Sequence, residues 1–148
     1  MQEWFLKKLY KYIIVLKHMI KYPIEDEIIE YNALAITIFD VKKADKVEIL
    51  SYSKLSQAIE RCKITKGDIY NKATVLLISL VRSHAFASGN RRTAIITTIN
   101  FLNKNGSKFK VKDDPKNAGV LTGIREGYYS TREVKEWIKN GKIRKFKR

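Results

Sequence analysis

The side chains most suited to chemistry lie together in residues 83–94, which read SHAFASGNRRTA. His84 can take a proton from an incoming hydroxyl if its imidazole is neutral. A helix that begins near Arg91 would direct its first backbone N–H groups, and the positive end of its dipole, at the turn before it. Asn90 can add an amide donor and Arg92 a bidentate guanidinium. The stretch therefore predicts an anion site beside a general base.

Two apolar helical runs flank this stretch and must position it. The first begins after the N-cap Asp68, and its apolar face is continuous enough for the central helix of a bundle, which ends at His84. The second covers Thr93–Asn103, with Asn105 and Gly106 as its stop. The predicted inward positions are Ile69, Tyr70, Ala73, Leu76, Leu77, Leu80 and Val81 in the first helix, and Ala94, Ile95, Ile99 and Leu102 in the second. Helix, anion-binding turn and helix thus form one unit.

Residues 84–92, the signature loop, read HAFASGNRR and resemble the Fic/Doc family pattern H-x-F-x-[D/E]-[G/A]-N-x-R. The departure is Ser88, which stands where the family carries the carboxylate that holds Mg²⁺ on the nucleotide phosphates. Serine is a weak, neutral ligand for such a hard cation. The resemblance implies ATP and Mg²⁺ as cofactors, with Ser88 at the metal position.

The residue before the final Arg of the pattern separates two branches of the family. Members that transfer AMP usually carry Gly there, whereas the Doc branch carries Lys, and this chain has the basic Arg91. The resemblance therefore implies a Doc-like transfer of phosphate from ATP to a hydroxyl of a target protein. It makes His84 the general base and Phe86 a packing residue of the loop. The residues that it implies for nucleotide binding are Gly89, Asn90, Arg91 and Arg92.

Val47–Tyr52 has a short alternating pattern typical of a strand, after a polar loop at Lys42–Lys46. The resemblance implies that this segment is the β-hairpin flap, which lines the site and holds the target segment by strand addition. The flap residues that it implies are Val47, Ile49 and Tyr52. A plain connecting turn explains the same residues equally well.

Other functions stay open alongside phosphate transfer. They are AMP transfer, a degenerate member that binds a nucleotide or partner without turnover, and a basic nucleic-acid-binding module. The Doc-like relatives are toxins of toxin–antitoxin pairs, so the resemblance implies an antitoxin partner and a translation factor as target.

Thr122–Gly127 also fits a loose pattern by which some family members insert a glutamate, here Glu126, against the nucleotide-binding arginine. Because Gly127 is a ready helix C-cap, an ordinary helix end is the favoured interpretation.

Composition sets the class of protein. The chain has 148 residues, an apolar fraction of 45% and a net charge of +15, which fit one folded domain with polyanionic partners or a solvated lysine-rich surface. The single Cys62 excludes an internal disulfide and a cysteine-based zinc site, and indicates a reducing, cytoplasmic compartment.

Three segments are predicted. Residues 1–24 form a basic amphipathic helix that Pro23 stops; its lysines exclude a membrane span, and core packing is favoured over a membrane surface. Residues 25–140 form the Fic/Doc-like domain. Its first helix runs from Glu25 to about Phe39, with inward positions at Ile28, Ile29, Leu34, Ala35 and Ile38. Besides the two helices that flank the signature loop, it includes a helix from Ser53 or Lys54 to Cys62, a helix that ends near Glu126, and a last helix with Ser130 as its N-cap in a capping box with Glu133. Residues 141–148 belong to a solvated basic tail. The predicted fold is all-α, with six or seven helices and a small β-hairpin flap.

Overall fold

The computed structural model describes residues 2–38 and 45–148, and seven α-helices form within these ranges. They are α1 (Gln2–His18), α2 (Glu25–Ile38), α3 (Tyr52–Ile64), α4 (Ile69–Ser83), α5 (Asn90–Lys104), α6 (Lys116–Glu126) and α7 (Thr131–Asn140). The predicted mostly helical fold is confirmed.

Helix α4 lies at the centre and packs against α3, α5, α6 and α7, while α2 contacts α5 and α3. It begins where predicted, because Asp68 accepts a hydrogen bond from the Asn71 backbone N–H (2.9 Å) and Asn71 accepts one from the Asp68 N–H (3.2 Å). This capping box satisfies two donors that the first turn cannot pair internally. Ala73, Leu76, Leu77, Leu80 and Val81 are all buried, as the apolar face of α4 requires. A rigid central helix thus delivers the signature loop.

Helix α2 turns a different face inward from the one predicted. Ile28 and Ala35 are buried as expected, but Leu34 and Ile38 are exposed, and Asn32 and Ile36 take the inward positions. Apolar residues surround most of α2, so periodicity could not select a face. The buried Asn32 follows Ile28 by one helical turn, and its role is in the site.

Helix α1 does not pack into the core, and the predicted core packing is wrong. None of its residues is buried among the residues that the structure describes. The segment after α1 is held to α5, because the Lys21 N–H donates to Asn105 Oδ1 (2.8 Å) and the Lys21 carbonyl accepts a hydrogen bond from Asn105 Nδ2 (2.9 Å). Residues 2–38 and 45–148 contain no helix that is long and apolar enough to cross a membrane.

The end of the chain is more ordered than its composition suggested. Ser130 caps α7 through the predicted capping box with Glu133. Residues 141–148 then pack back, because the Phe146 ring meets Tyr128 edge-on at 5.0 Å and the Tyr129 hydroxyl donates to the Arg144 carbonyl (2.9 Å). The prediction of a solvated tail overlooked the apolar side chains within it.

The predicted flap forms no strand within the described ranges. Residues 45–51 run extended along the signature loop and make one isolated antiparallel bridge, between Ile49 and Phe86. Tyr52 already belongs to α3, whose N-cap is Ser51. The predicted end of the second helix near Phe39, and residues 42–44 of the predicted polar loop, lie outside the described residues.

Candidate active site

The signature loop lines a cavity of about 620 Å³. Helix α6 contributes the facing wall and Asp45 closes one side. The lining comprises Asp45, Val81, His84, Ala87, Ser88, Gly89, Asn90, Arg91, Arg92, Ala118, Leu121 and Arg125. The structure therefore brings the predicted base and the predicted phosphate-binding residues to one cavity, whereas Val47, Ile49 and Tyr52 lie outside its lining.

His84 is the C-cap of α4 and has left-handed backbone angles (φ 48°, ψ 45°). It is the one non-glycine residue with positive φ in the described part of the chain. This conformation is uncommon for an L-residue and costs about 1–2 kcal/mol. It ends α4 abruptly and leaves the imidazole exposed at the cavity wall. A substrate hydroxyl can therefore reach the imidazole without any core rearrangement.

The loop after His84 is held by Asn90. Its side-chain oxygen accepts a hydrogen bond from the Phe86 N–H (3.0 Å), and its amide nitrogen donates to the Phe86 carbonyl (2.8 Å). Phe86 itself is buried in the core, as predicted. Each such bond contributes about 1 kcal/mol net. Asn90 thus positions the loop, in addition to lining the cavity where an anion would bind.

Residues 45–51 support the loop from its outer side. Leu50 and Ser51 both donate N–H bonds to the Ala85 carbonyl (2.8 and 3.1 Å), and Ala87 donates its N–H to the Glu48 carbonyl (3.0 Å). The side chains of Val47, Ile49, Leu50 and Tyr52 are exposed beside it. The segment therefore presents an apolar surface next to His84.

Helix α2 supports the loop from beneath through Asn32. Its buried amide donates to the Ser88 carbonyl (2.8 Å) and to Thr93 Oγ1 (3.1 Å). Gly89 has φ +75°, and a Cβ there would lie 3.2 Å from Asn32 Nδ2 and 3.3 Å from Ile36 Cγ1. Gly89 is thus needed both for the turn and for this close approach.

The two arginines at the start of α5 have different surroundings. Arg91 is exposed and donates to Thr122 Oγ1 on α6 (3.0 Å). Arg92 is half-buried, and its Nη2 forms an ion pair with Asp45 (3.0 Å) while Nη1 lies 3.4 Å from the Ala35 carbonyl. The first intrahelical bond runs from the Thr93 N–H to the Gly89 carbonyl (2.9 Å). The N–H groups before it point toward the cavity end of α5, where the dipole favours an anion.

The position where the resemblance places the metal-binding carboxylate carries Ser88, a neutral side chain. The described residues contain no group of three or more His, Cys, Asp or Glu side chains that could hold a metal ion. Ser88 Oγ only accepts a long bond from the Lys46 N–H (3.4 Å). The carboxylate nearest this position in the cavity lining is Asp45, and it is paired with Arg92.

Glu126 does not reach either arginine of the signature loop. It faces Arg148 (2.8 Å) and Arg125 (3.9 Å), and it is absent from the cavity lining. Gly127 has φ 76° and donates its N–H to the Ile124 carbonyl (3.2 Å). The ordinary helix-end interpretation therefore agrees with the geometry.

Sequence reasoning missed three residues of this site. Asn32 carried a signal, since a polar residue one turn from Ile28 interrupts an otherwise apolar face of α2. Asp45 was a single acid within a lysine-rich loop, and Arg125 stood inside the pattern examined for Glu126. The spacing does not join them to the signature loop, because each lies more than 30 residues from it and only the folded chain brings them together.

Comparison with known proteins agrees with this geometry. A family model described as the Fic/DOC family matches residues 25–102, the part of the chain from α2 into α5. The protein described as "Protein kinase doc", from Escherichia phage P1, is 29% identical over 72 residues, which cover 49% of this chain and 56% of that protein. The chain thus spans about half the length of this relative.

Proposed function

Because this chain belongs to the Fic/DOC family, we propose that it transfers the γ-phosphate of ATP to a hydroxyl of a target protein. The observation that carries the proposal is a single cavity that joins His84 to Arg91, Arg92 and the N-terminal end of α5. The similarity to a protein described as a kinase supports phosphate transfer in particular.

The residues divide the reaction between them. The hydroxyl oxygen of the target attacks the γ-phosphorus, the bond from that phosphorus to the bridging oxygen breaks, and ADP leaves with the bonding electron pair. His84 takes the proton of the attacking hydroxyl. Arg91, Arg92 and the first N–H groups of α5 hold the phosphate oxygens and stabilise their charge.

The exposed apolar side chains of residues 45–52 give the target a docking surface. Val47, Ile49 and Tyr52 lie beside a segment whose backbone is already bonded to the signature loop. A target segment that packs on them would place its hydroxyl near His84. A translation factor as the target and an antitoxin that covers this surface are proposals of the same kind, inherited from the family resemblance.

No step is assigned to a metal ion, because Ser88 and its neighbours do not fit one. Arginines can neutralise phosphate charge without a metal. Asp at position 88 would supply the carboxylate that the family pattern has there, and within the described part of the chain Ser88 Oγ would give up one long hydrogen bond, from the Lys46 N–H (3.4 Å).

A second candidate is a degenerate member that binds a nucleotide without turnover. Two observations favour it, namely Ser88 at the position of the family's carboxylate and the ion pair between Arg92 and Asp45. It predicts nucleotide binding with no group transfer. A nucleic-acid-binding module remains the alternative from another class, and strong salt-dependent binding that survives loss of Arg92 would favour it.

The test uses ATP labelled at either the γ or the α phosphate, with the purified chain, a host-cell extract and magnesium. Label from the γ position alone supports phosphate transfer. Label from the α position means AMP transfer and refutes the role assigned to Arg91. Nucleotide binding without label from either position favours the degenerate member.

Two variants sharpen this test. His84→Asn removes the base but suits the left-handed backbone better than Ala does, so labelling should fall at least about a hundredfold with the fold intact. Retained labelling would remove His84 from the mechanism. Ser88→Asp should raise magnesium-dependent labelling if the chain lacks only the carboxylate, and unchanged labelling would mean that position 88 does not limit the reaction.

A further inference from the structure

Helix α1 exposes an apolar face that the rest of the described chain leaves uncovered. Its residues are between about two fifths and two thirds exposed, for example Phe5 at 58%, Leu9 at 44% and Leu16 at 55%. A monomeric protein seldom leaves so many large apolar side chains together in water. The face is therefore expected to have an occupant.

Seven of the apolar side chains of α1 lie on one arc of the helix surface. At about 100° per residue, Tyr12 and Tyr10 fall at its two borders, roughly 160° apart. Between them lie five apolar residues, Leu6, Phe5, Leu9, Ile13 and Leu16, and two polar ones, Gln2 and Lys17. Tyrosine has an apolar ring and a polar hydroxyl, which suit the boundary between water and an apolar phase. The arrangement resembles that of helices that lie flat in the interface of a bilayer.

The lysines of α1 lie mostly outside the arc, where Trp4, Ile14 and Val15 also stand. Lys7 and Lys11 lie opposite the arc, Lys8 and Lys17 lie near its borders, and Glu3 is the only acid of the helix. Long lysine side chains at such positions reach anionic headgroups while their stems stay against apolar groups. Trp4 lies on the basic side, where Lys8 Nζ is 4.8 Å from its ring centroid, so it is not counted in the arc.

We propose that α1 binds the surface of an anionic lipid bilayer, with its apolar arc in the headgroup region and its lysines on the lipid phosphates. Charge decides between this occupant and a second copy of the chain. Pairing two α1 arcs would bring together two basic helices on molecules that each carry +15, whereas an anionic surface attracts both.

The segment after α1 is attached at the end of α5 that lies away from the signature loop. Lys21, which follows the end of α1, is hydrogen-bonded to Asn105 just after the C-terminal end of α5. The signature loop lies at the N-terminal end of α5. A helix of the length of α5, Asn90–Lys104, spans about 22 Å. A membrane-bound chain could therefore still receive nucleotide and target.

The experiment is co-sedimentation of the full-length chain with vesicles. Phosphatidylcholine mixed with phosphatidylglycerol is compared with phosphatidylcholine alone. The expected result is binding to the anionic vesicles with little binding to the neutral ones. Phe5→Ser/Leu9→Ser should lower partitioning at least about tenfold, because two apolar side chains are lost from the arc. No binding to anionic vesicles, or equal binding to both kinds, would overturn the proposal.

Two matched controls make the outcome specific. Ile14→Ser/Val15→Ser removes two exposed apolar residues from outside the arc of the same helix and should leave partitioning within about twofold of the parent. Lys7→Glu/Lys11→Glu should weaken binding more than Lys145→Glu/Lys147→Glu, which makes the same charge change in the tail. Equal losses would reduce the interaction to non-specific charge attraction and overturn the proposal.

Sedimentation equilibrium in the absence of lipid tests the rival occupant. A monomer is expected for the parent chain and for every variant. A dimer that Phe5→Ser/Leu9→Ser dissociates would assign the arc to a second copy and refute the lipid proposal. Because α1 does not pack on the core, the α1 variants should keep the thermal stability of the parent.

Discussion

Replacing Asp45 by Asn is expected to tighten nucleotide binding. The Asp45 carboxylate lies 3.0 Å from Arg92 Nη2, and the exposed fractions of the two side chains are 30% for Arg92 and 12% for Asp45. Phosphate oxygens that approach Arg92 must therefore displace a carboxylate that is itself largely shielded from water. Asn keeps the shape of the side chain but removes the charge that competes with phosphate.

The size of the effect follows from this ion pair. A hydrogen bond to a charged group contributes about 1.5–3 kcal/mol net, and Asn retains part of it because its amide oxygen is still an acceptor. About half of that contribution, roughly 0.8–1.5 kcal/mol, corresponds to a change in affinity of about four- to twelvefold. We therefore expect Asp45→Asn to lower the dissociation constant for ATP by about that factor.

Isothermal titration calorimetry with ATP, and with pyrophosphate as a probe of the phosphates alone, measures this change. Glu48→Gln is the matched control, since Glu48 belongs to the same segment but is exposed and lies outside the cavity lining. It makes the same change in net charge, so a general charge effect would tighten binding equally in both variants. The Asp45 effect should exceed the Glu48 effect several-fold.

A double-mutant cycle identifies the partner. If Asp45 competes with phosphate for Arg92, then Asp45→Asn should have almost no effect on pyrophosphate binding in an Arg92→Ala background. Weaker binding by Asp45→Asn alone would refute the reasoning and would mean that Asp45 orients Arg92 for the phosphate. An undiminished effect without Arg92 would mean that Asp45 acts on some other group.

Two further predictions concern the core and the loop support. Asn32→Ala should lower the free energy of unfolding by about 1–3 kcal/mol, because the Ser88 carbonyl loses its buried donor. Urea denaturation measures this change, with Asn103→Ala on the exposed side of α5 as the control. Equal losses of stability in the two variants would contradict the prediction. Burial raises the pKa of the Cys62 thiol from 9.0 to about 12, so alkylation near pH 8 should be slow until urea unfolds the chain. Since the pKa of this thiol is higher in the folded than in the unfolded chain, its contribution to stability is complete below about pH 9 and is lost as the pH rises toward 12. Cys62→Ala should remove that part of the pH dependence of stability. Rapid alkylation of the folded chain would refute the raised pKa.

Local features of the fold were predictable from the sequence, whereas contacts between distant segments were not. The caps at Asp68 and Ser130 depend on residues three positions away, and both were found. The signature loop was found because its chemistry lies within nine residues, 84–92. Asn32 and Asp45 reach the loop across intervals of 56 and 47 residues, and no local pattern encodes such contacts.

Helix α1 and the tail show a second limit. Periodicity indicates that a helix has an apolar side, but not what covers it, so α1 was assigned to the core although none of its residues is buried. In the tail, basic composition concealed Phe146 and Ile143, which pack against the core cluster. The number of charges in a segment predicts that the segment is solvent-exposed only where the segment has no aromatic or branched side chain that can pack against the core.

Position 88 is where the chemistry of this chain can change with the least effect on its fold. The backbone of Ser88 is needed, because its carbonyl accepts a hydrogen bond from the Asn32 amide (2.8 Å), but among the described residues its hydroxyl has one hydrogen bond, from the Lys46 N–H at 3.4 Å. The neighbouring positions are constrained, Gly89 by its positive φ and Asn90 by two bonds to Phe86. A carboxylate could therefore be lost or regained at position 88 while the loop, the base and the arginines keep their arrangement. The same independence makes Ser88→Asp a test of the reaction and not of the fold.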